Sequence, residues 1–92
     1  MSQTSKRKYT ASELTPGTRY RLIGEFVDYD GVPHAVGETW RFLGKSFLPY
    51  EDGLTLFVER DGKQVSLRLQ WRPETQADII DHFSDLVEQL NE

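Results

Sequence analysis

The chain has no cysteine. Disulfides, thiol nucleophiles and cysteine-based zinc sites are therefore excluded, and stability has to come from packing. No apolar run approaches the roughly eighteen residues of a membrane span. The opening MSQTSKRKYT also lacks the apolar segment of a signal peptide, so cytoplasm is the expected compartment. No glycine-rich loop matches a phosphate cradle, and Ser46, Ser66 and Ser84 stand in no nucleophile signature. After Arg72 there is neither Lys nor Arg, although Glu74, Asp78, Asp81, Asp85, Glu88 and Glu92 follow. The whole chain carries 11 Lys and Arg against 15 Asp and Glu, and a net charge of −4 disfavours a general nucleic-acid binder.

What is present suits one domain. A chain of 92 residues with 37% hydrophobic content can bury a core and is too apolar for disorder. Residues 1–10, with Lys6-Arg7-Lys8, read as a flexible basic tail, and residues 11–92 as the single folded domain. Thr10-Ala11-Ser12-Glu13 has capping-box spacing, which predicts one helical turn, and Pro16-Gly17 predicts a reversal.

From Thr18 the pattern has period two. Tyr20, Leu22, Gly24 and Phe26 share one face of the first run, Trp40 and Phe42 of the second, and Leu54, Leu56 and Val58 of the third. In the fourth, Val65, Leu67, Leu69 and Trp71 alternate with polar residues. These are strands with one buried face. Asp30-Gly31, Asp52-Gly53 and Asp61-Gly62 lie between them, a pairing suited to tight turns. A short fifth strand is expected near Val32 to Val36. Ile23, Val27, Leu43 and Phe57 make the other face partly apolar, with Phe47, Leu48 and Tyr50 available to cover them. Together with bend points at Gly24 and Gly44, that suggests a curved sheet.

After Pro73 the period becomes helical. Ile79, Ile80, Phe83, Leu86, Val87 and Leu90 span an arc of about 120°, which predicts an amphipathic helix over 73–90. The expected class is α+β, mostly β. It is a curved antiparallel meander, or a small Src-homology-3-like barrel, of four to five strands with the helix packed on it. An open four-stranded sheet under a helix is the other arrangement.

The strings YRLIGEFVDYDGVPHAVGETWRFLG, FLPYEDGLTLFV and SLRLQWRPETQ resemble a bacterial family of small uncharacterised proteins, domain of unknown function 3601. The resemblance runs from about Leu14 to Ile80. It implies a bacterial single-domain protein, and it brings no activity, substrate or catalytic residue.

Four groups of residues are candidates for function. Asp28, Asp30 and His34 offer a metal or proton site, but a calcium loop would need an oxygen ligand at Phe26 and a Glu at Gly37, so that template fails. The competing reading is a turn shaped by the two acids beside an exposed His34. Arg19, Arg21, Arg41 and Arg68 share the polar sheet face and would suit phosphate or carboxylate, or else pair across strands with Glu25 and Glu59. Asp78, Asp81 and Asp85, with Glu74 and Glu88, line the polar side of the predicted helix, as a dock for a basic partner or as a solvated face. Tyr29, His34, Trp40, Tyr50, Glu51 and Asp52 would form an aromatic, acidic rim for an extended peptide, or complete the core.

The leading reading is a non-enzymatic binding module for a protein or peptide, possibly basic in character, with no cofactor and no membrane. A metal-dependent hydrolase using Asp28, Asp30 and His34 is the alternative from another class, and nucleic-acid contact through the Arg face is the third. Oligomeric state is open; the first strand as a free sheet edge would permit strand-paired dimers.

Overall fold

The computed structural model describes residues 8–48, 52–72 and 76–90. Its main sheet has five strands in the order β6-β5-β4-β1-β7, and a two-stranded sheet, β2-β3, stands beside it. The strands are β1 (Arg19–Leu22), β2 (Phe26–Val27), β3 (Pro33–His34), β4 (Thr39–Leu48), β5 (Gly53–Arg60), β6 (Lys63–Gln70) and β7 (Val87–Gln89). All pairings are antiparallel.

The alternation translates directly into burial. Tyr20, Leu22, Trp40, Phe42, Leu54, Leu56, Val58, Leu67 and Leu69 all lie within the core, and Val65 and Trp71 are partly buried against it. Turn chemistry also holds. Asp61 and Gly62 both have positive φ, 54° and 80°, which a type I′ hairpin between β5 and β6 requires. Thr10 and Glu13 close the expected capping box over a single 3-10 turn, Ala11–Glu13. That turn buries Ala11 and delivers Leu14 to the core.

Gly44 marks a β-bulge. Register slips between Phe42 and Gly44, so Leu43 is the extra residue. Without it, Gly44 would share a face with Phe42. With it, Gly44 faces outward beside Phe57, and Phe47 pairs with Leu54 on the inner side. Phe47 there meets Trp71 edge to face, with ring centroids 6.0 Å apart.

The expected helix over 73–90 does not form across the described part of that span. Residues 73–75 lie outside the described residues. From there α1 occupies only Ala77–Asp81, a 3-10 turn follows at Phe83–Asp85, and β7 ends the segment. The apolar residues still point inward: Ile80, Phe83 and Val87 are fully buried. What changes is the backbone. Asp78, Asp81, Asp85 and Glu88 would repel at helical spacings. The edge of β1 offers ladder bonds instead: Leu22 pairs with Val87, and Leu90 N–H donates to the Arg19 carbonyl at 2.9 Å.

Three further expectations are corrected by the same arrangement. β1 is no free edge, because β7 covers it. The sheet is not a closed barrel, since β6 and β7 end it on opposite sides. Residues 8–10 are not a loose tail. The Tyr9 carbonyl accepts from Ser84 N–H, and the Tyr9 ring packs on the core. The outer apolar residues stay uncovered, with Ile23, Val27 and Leu43 all exposed. The predicted fifth strand exists as β3, but it pairs with β2 in the small sheet.

Candidate functional site

The stretch from Phe26 to Glu38 folds around its own charges. Phe26 lies opposite His34 in the β2-β3 ladder, and their rings stack at 4.8 Å. Between them Asp28 Oδ1 accepts the backbone N–H groups of Asp30 and Val32, at 2.9 and 3.0 Å, which shapes the turn. The other carboxylate oxygen lies 2.9 Å from His34 Nε2. His34 Nδ1 lies 2.8 Å from Glu38 Oε2. Glu38 in turn accepts from the Trp40 indole at 3.2 Å and from Arg60 Nη1 at 3.1 Å.

His34 is therefore buried, not exposed: it, Asp28 and Glu38 have side chains only 3–5% accessible. An imidazole with a carboxylate oxygen at each nitrogen satisfies both as the imidazolium, donating twice. Asp28, His34, Glu38 and Arg60 thus form one continuous chain of hydrogen bonds. Both ring nitrogens are committed, so neither offers a lone pair to a metal. Asp30 does not join: its carboxylate takes Arg68 at 3.1 Å. Among the described residues no group of three or more His, Asp or Glu is arranged to hold a metal ion. The sequence reading missed Glu38, although a signal was there. Asp28 continues the parity of Leu22 and Phe26, and Glu38 that of Trp40 and Phe42, so each is an acid at a core-facing position.

The residues of the expected aromatic rim are divided. Trp40 is not on it: the ring is 1% exposed and packs on Tyr20 at 5.8 Å. Tyr50 and Glu51 lie outside the described residues. The described ends of the two loops line one hollow. Tyr29 N–H donates to the Arg68 carbonyl at 2.7 Å, and Trp71 N–H to that of Asp52 at 2.6 Å. Tyr29, Leu48, Gly53, Arg68 and Arg72 line one hollow of about 300 Å³. Asp52 is paired with Arg72 at 2.9 Å.

The arginines do not form one array. Arg19 and Arg41 are direct cross-strand neighbours, and Arg41 also faces Glu59. Arg21 is tied to Glu88 across β1 and β7, and Arg68 belongs to the rim.

The acids of the C-terminal segment divide by partner. Asp81 accepts the Trp71 indole at 2.9 Å, and Asp85 holds the Lys8 ammonium at 2.5 Å. Asp78 has no side-chain partner among the described residues, and neither has Glu25. Both line a hollow of about 460 Å³ with Phe26, Ile79, His82, Asp85 and Leu86. Its floor depends on Gly24: a Cβ there would lie 2.7 Å from Leu86 Cδ2.

Comparison with known proteins gives a family and a neighbour. The family model described as Domain of unknown function (DUF3601) matches residues 4–92. A solved structure of an integron cassette protein, from the mobile metagenome of Vibrio cholerae, is similar at 36% identity and a TM-score of 0.82. The match covers 88% of this chain and 93% of that one. No curated protein matches. No helix among the described residues is long and apolar enough to cross a membrane.

Proposed function

The chain belongs to the family of domain of unknown function 3601, and we propose that it is a non-enzymatic binding module for a basic, amphipathic segment of a partner protein. The observation that carries this reading is the hollow beside α1, where Glu25 and Asp78, with no side-chain partner among the described residues, stand at the rim of a floor made by Phe26, Ile79 and Leu86. An apolar floor with carboxylates at its edge is complementary to a segment that presents apolar side chains between Lys or Arg. Lys8 on Asp85 is an instance, within this chain, of an ammonium taken at that rim. Asp81 serves the reading less, because the Trp71 indole occupies it.

The hydrolase alternative has less support. Its histidine is buried, with both nitrogens bonded, and Asp30 is turned away to Arg68.

The test uses a labelled synthetic helical peptide with Leu on one face and Lys on the other, followed by fluorescence anisotropy. Binding that weakens with salt and is lost in a Glu25→Gln, Asp78→Asn double variant is the expected result. No binding, or equal binding by the double variant, overturns the reading.

A further inference from the structure

A second hollow, lined by Arg68 and Arg72, lies between the Tyr29 loop and the start of β5. Arg68 and Thr55 are direct cross-strand partners, so both side chains rise from the same outer face of the sheet. The Arg68 guanidinium lies 5.8 Å from the centre of the Tyr29 ring and uses Nη1 on Asp30. Nε and Nη2 of Arg68 and the Thr55 hydroxyl have no partner among the described residues. Asp30 and the ring thus orient the guanidinium while donors remain for an anion. The Arg68–Asp30 pair is about half exposed on both sides, and such pairs contribute only about 0–1 kcal/mol, so Arg68 can take up a second acceptor at small cost.

The rest of the lining selects a ring. Tyr29 is 51% exposed and Leu48 is 52% exposed, both at the hollow. Gly53 adds no side chain to the lining. Arg72, held by Asp52, closes the end.

We propose that this hollow binds a small aromatic anion, a planar ring carrying phosphate or carboxylate. The anionic group sits at Arg68 and Thr55, and the ring lies against Tyr29 and Leu48. The site is independent of the acidic hollow, because no residue is shared between the two.

The experiment is a titration of the full chain, followed by amide proton–nitrogen correlation spectra, with four probes: phenyl phosphate, benzoate, inorganic phosphate and phenol. Saturable shifts at Tyr29, Gly53 and Thr55 are expected with phenyl phosphate or benzoate. Inorganic phosphate should need about tenfold more, and phenol should leave them still. Arg68→Gln should weaken phenyl phosphate by about tenfold, and Tyr29→Leu should bring it to the level of inorganic phosphate. Glu25→Gln with Asp78→Asn should change nothing. Shifts that do not saturate, that inorganic phosphate reproduces at equal concentration, or that survive Arg68→Gln overturn the proposal. If phenyl phosphate binds and benzoate does not, the ligand is an aryl phosphate; the reverse makes it an aryl carboxylate.

Discussion

Asp28, His34 and Glu38 on one side, and Glu25 and Asp78 on the other, are the same kinds of residue put to opposite use. The first three are enclosed, and each carboxylate meets an imidazole nitrogen at 2.8–2.9 Å. The second two stand at the surface with no partner among the described residues. Only three positions separate Glu25 from Asp28. Desolvated charges have to be matched within the fold, because an orphan inside costs several kcal/mol. Exposed charges keep their water and remain available to a partner. A cluster of acids beside a histidine is therefore a structural element when it is enclosed, and its acids stay solvated when it is open.

The largest expected effect breaks the enclosed set. His34→Ala leaves the carboxylates of Asp28 and Glu38 buried without their shared imidazole partner and removes the ring stacked on Phe26. A loss of about 3–5 kcal/mol in urea unfolding is expected. A loss under 1 kcal/mol would mean that the chain of charges is not a structural unit.

Gly24→Ala acts at the boundary between the two regions. The new methyl meets Leu86 Cδ2, the flexible end of its side chain, at the floor of the acidic hollow, so Leu86 should turn aside at a cost under about 1 kcal/mol. Binding of the cationic peptide should weaken as well. A variant with unchanged stability and unchanged binding would separate the floor from Gly24.

The Glu25→Gln, Asp78→Asn double variant sharpens the comparison from the other end. Its stability should stay within about 0.5 kcal/mol of the parent, because no folded contact is removed. A large loss of stability would place these acids with the structural set.

The smallest effect concerns Tyr9, next to the Lys8–Asp85 pair. Burial, with Tyr20 nearby as the lesser cause, pushes its hydroxyl above the ordinary value of 10.0. The fold favours the neutral phenol, so this contribution is complete below the unfolded value and is lost as pH rises through the folded one. Above about pH 10 the urea midpoint of the parent should fall more steeply than that of Tyr9→Phe. Parallel curves would show that Tyr9 does not contribute.

Local chemistry made much of the fold legible. Alternation identified the inner faces of β1, β4, β5 and β6, because a half-buried strand needs apolar residues at every second position. Asp61-Gly62 and the Thr10–Glu13 box were legible because each is satisfied within a few residues. The segment from Phe83 to Gln89 was not. Its apolar residues bury equally well in a helix or in a turn followed by a strand, and the choice rests on ladder bonds to β1, more than sixty residues away. The candidate site divides in the same way. Asp28 and His34 were singled out from sequence, and the parity that places Glu38 on the core-facing side was legible too, but not that a loop would fold the three side chains together.

By itself the sequence determined that the protein is a cysteine-free, mostly β domain with acids gathered near its C-terminal end, because composition and period are properties of the chain alone. The tertiary structure decided which charges are spent inside and which remain outside. It also decided that the sheet stays open, and that β7 rather than a helix covers β1. Those outcomes depend on which distant groups come within bonding distance of one another, and spacing along the chain does not contain that information.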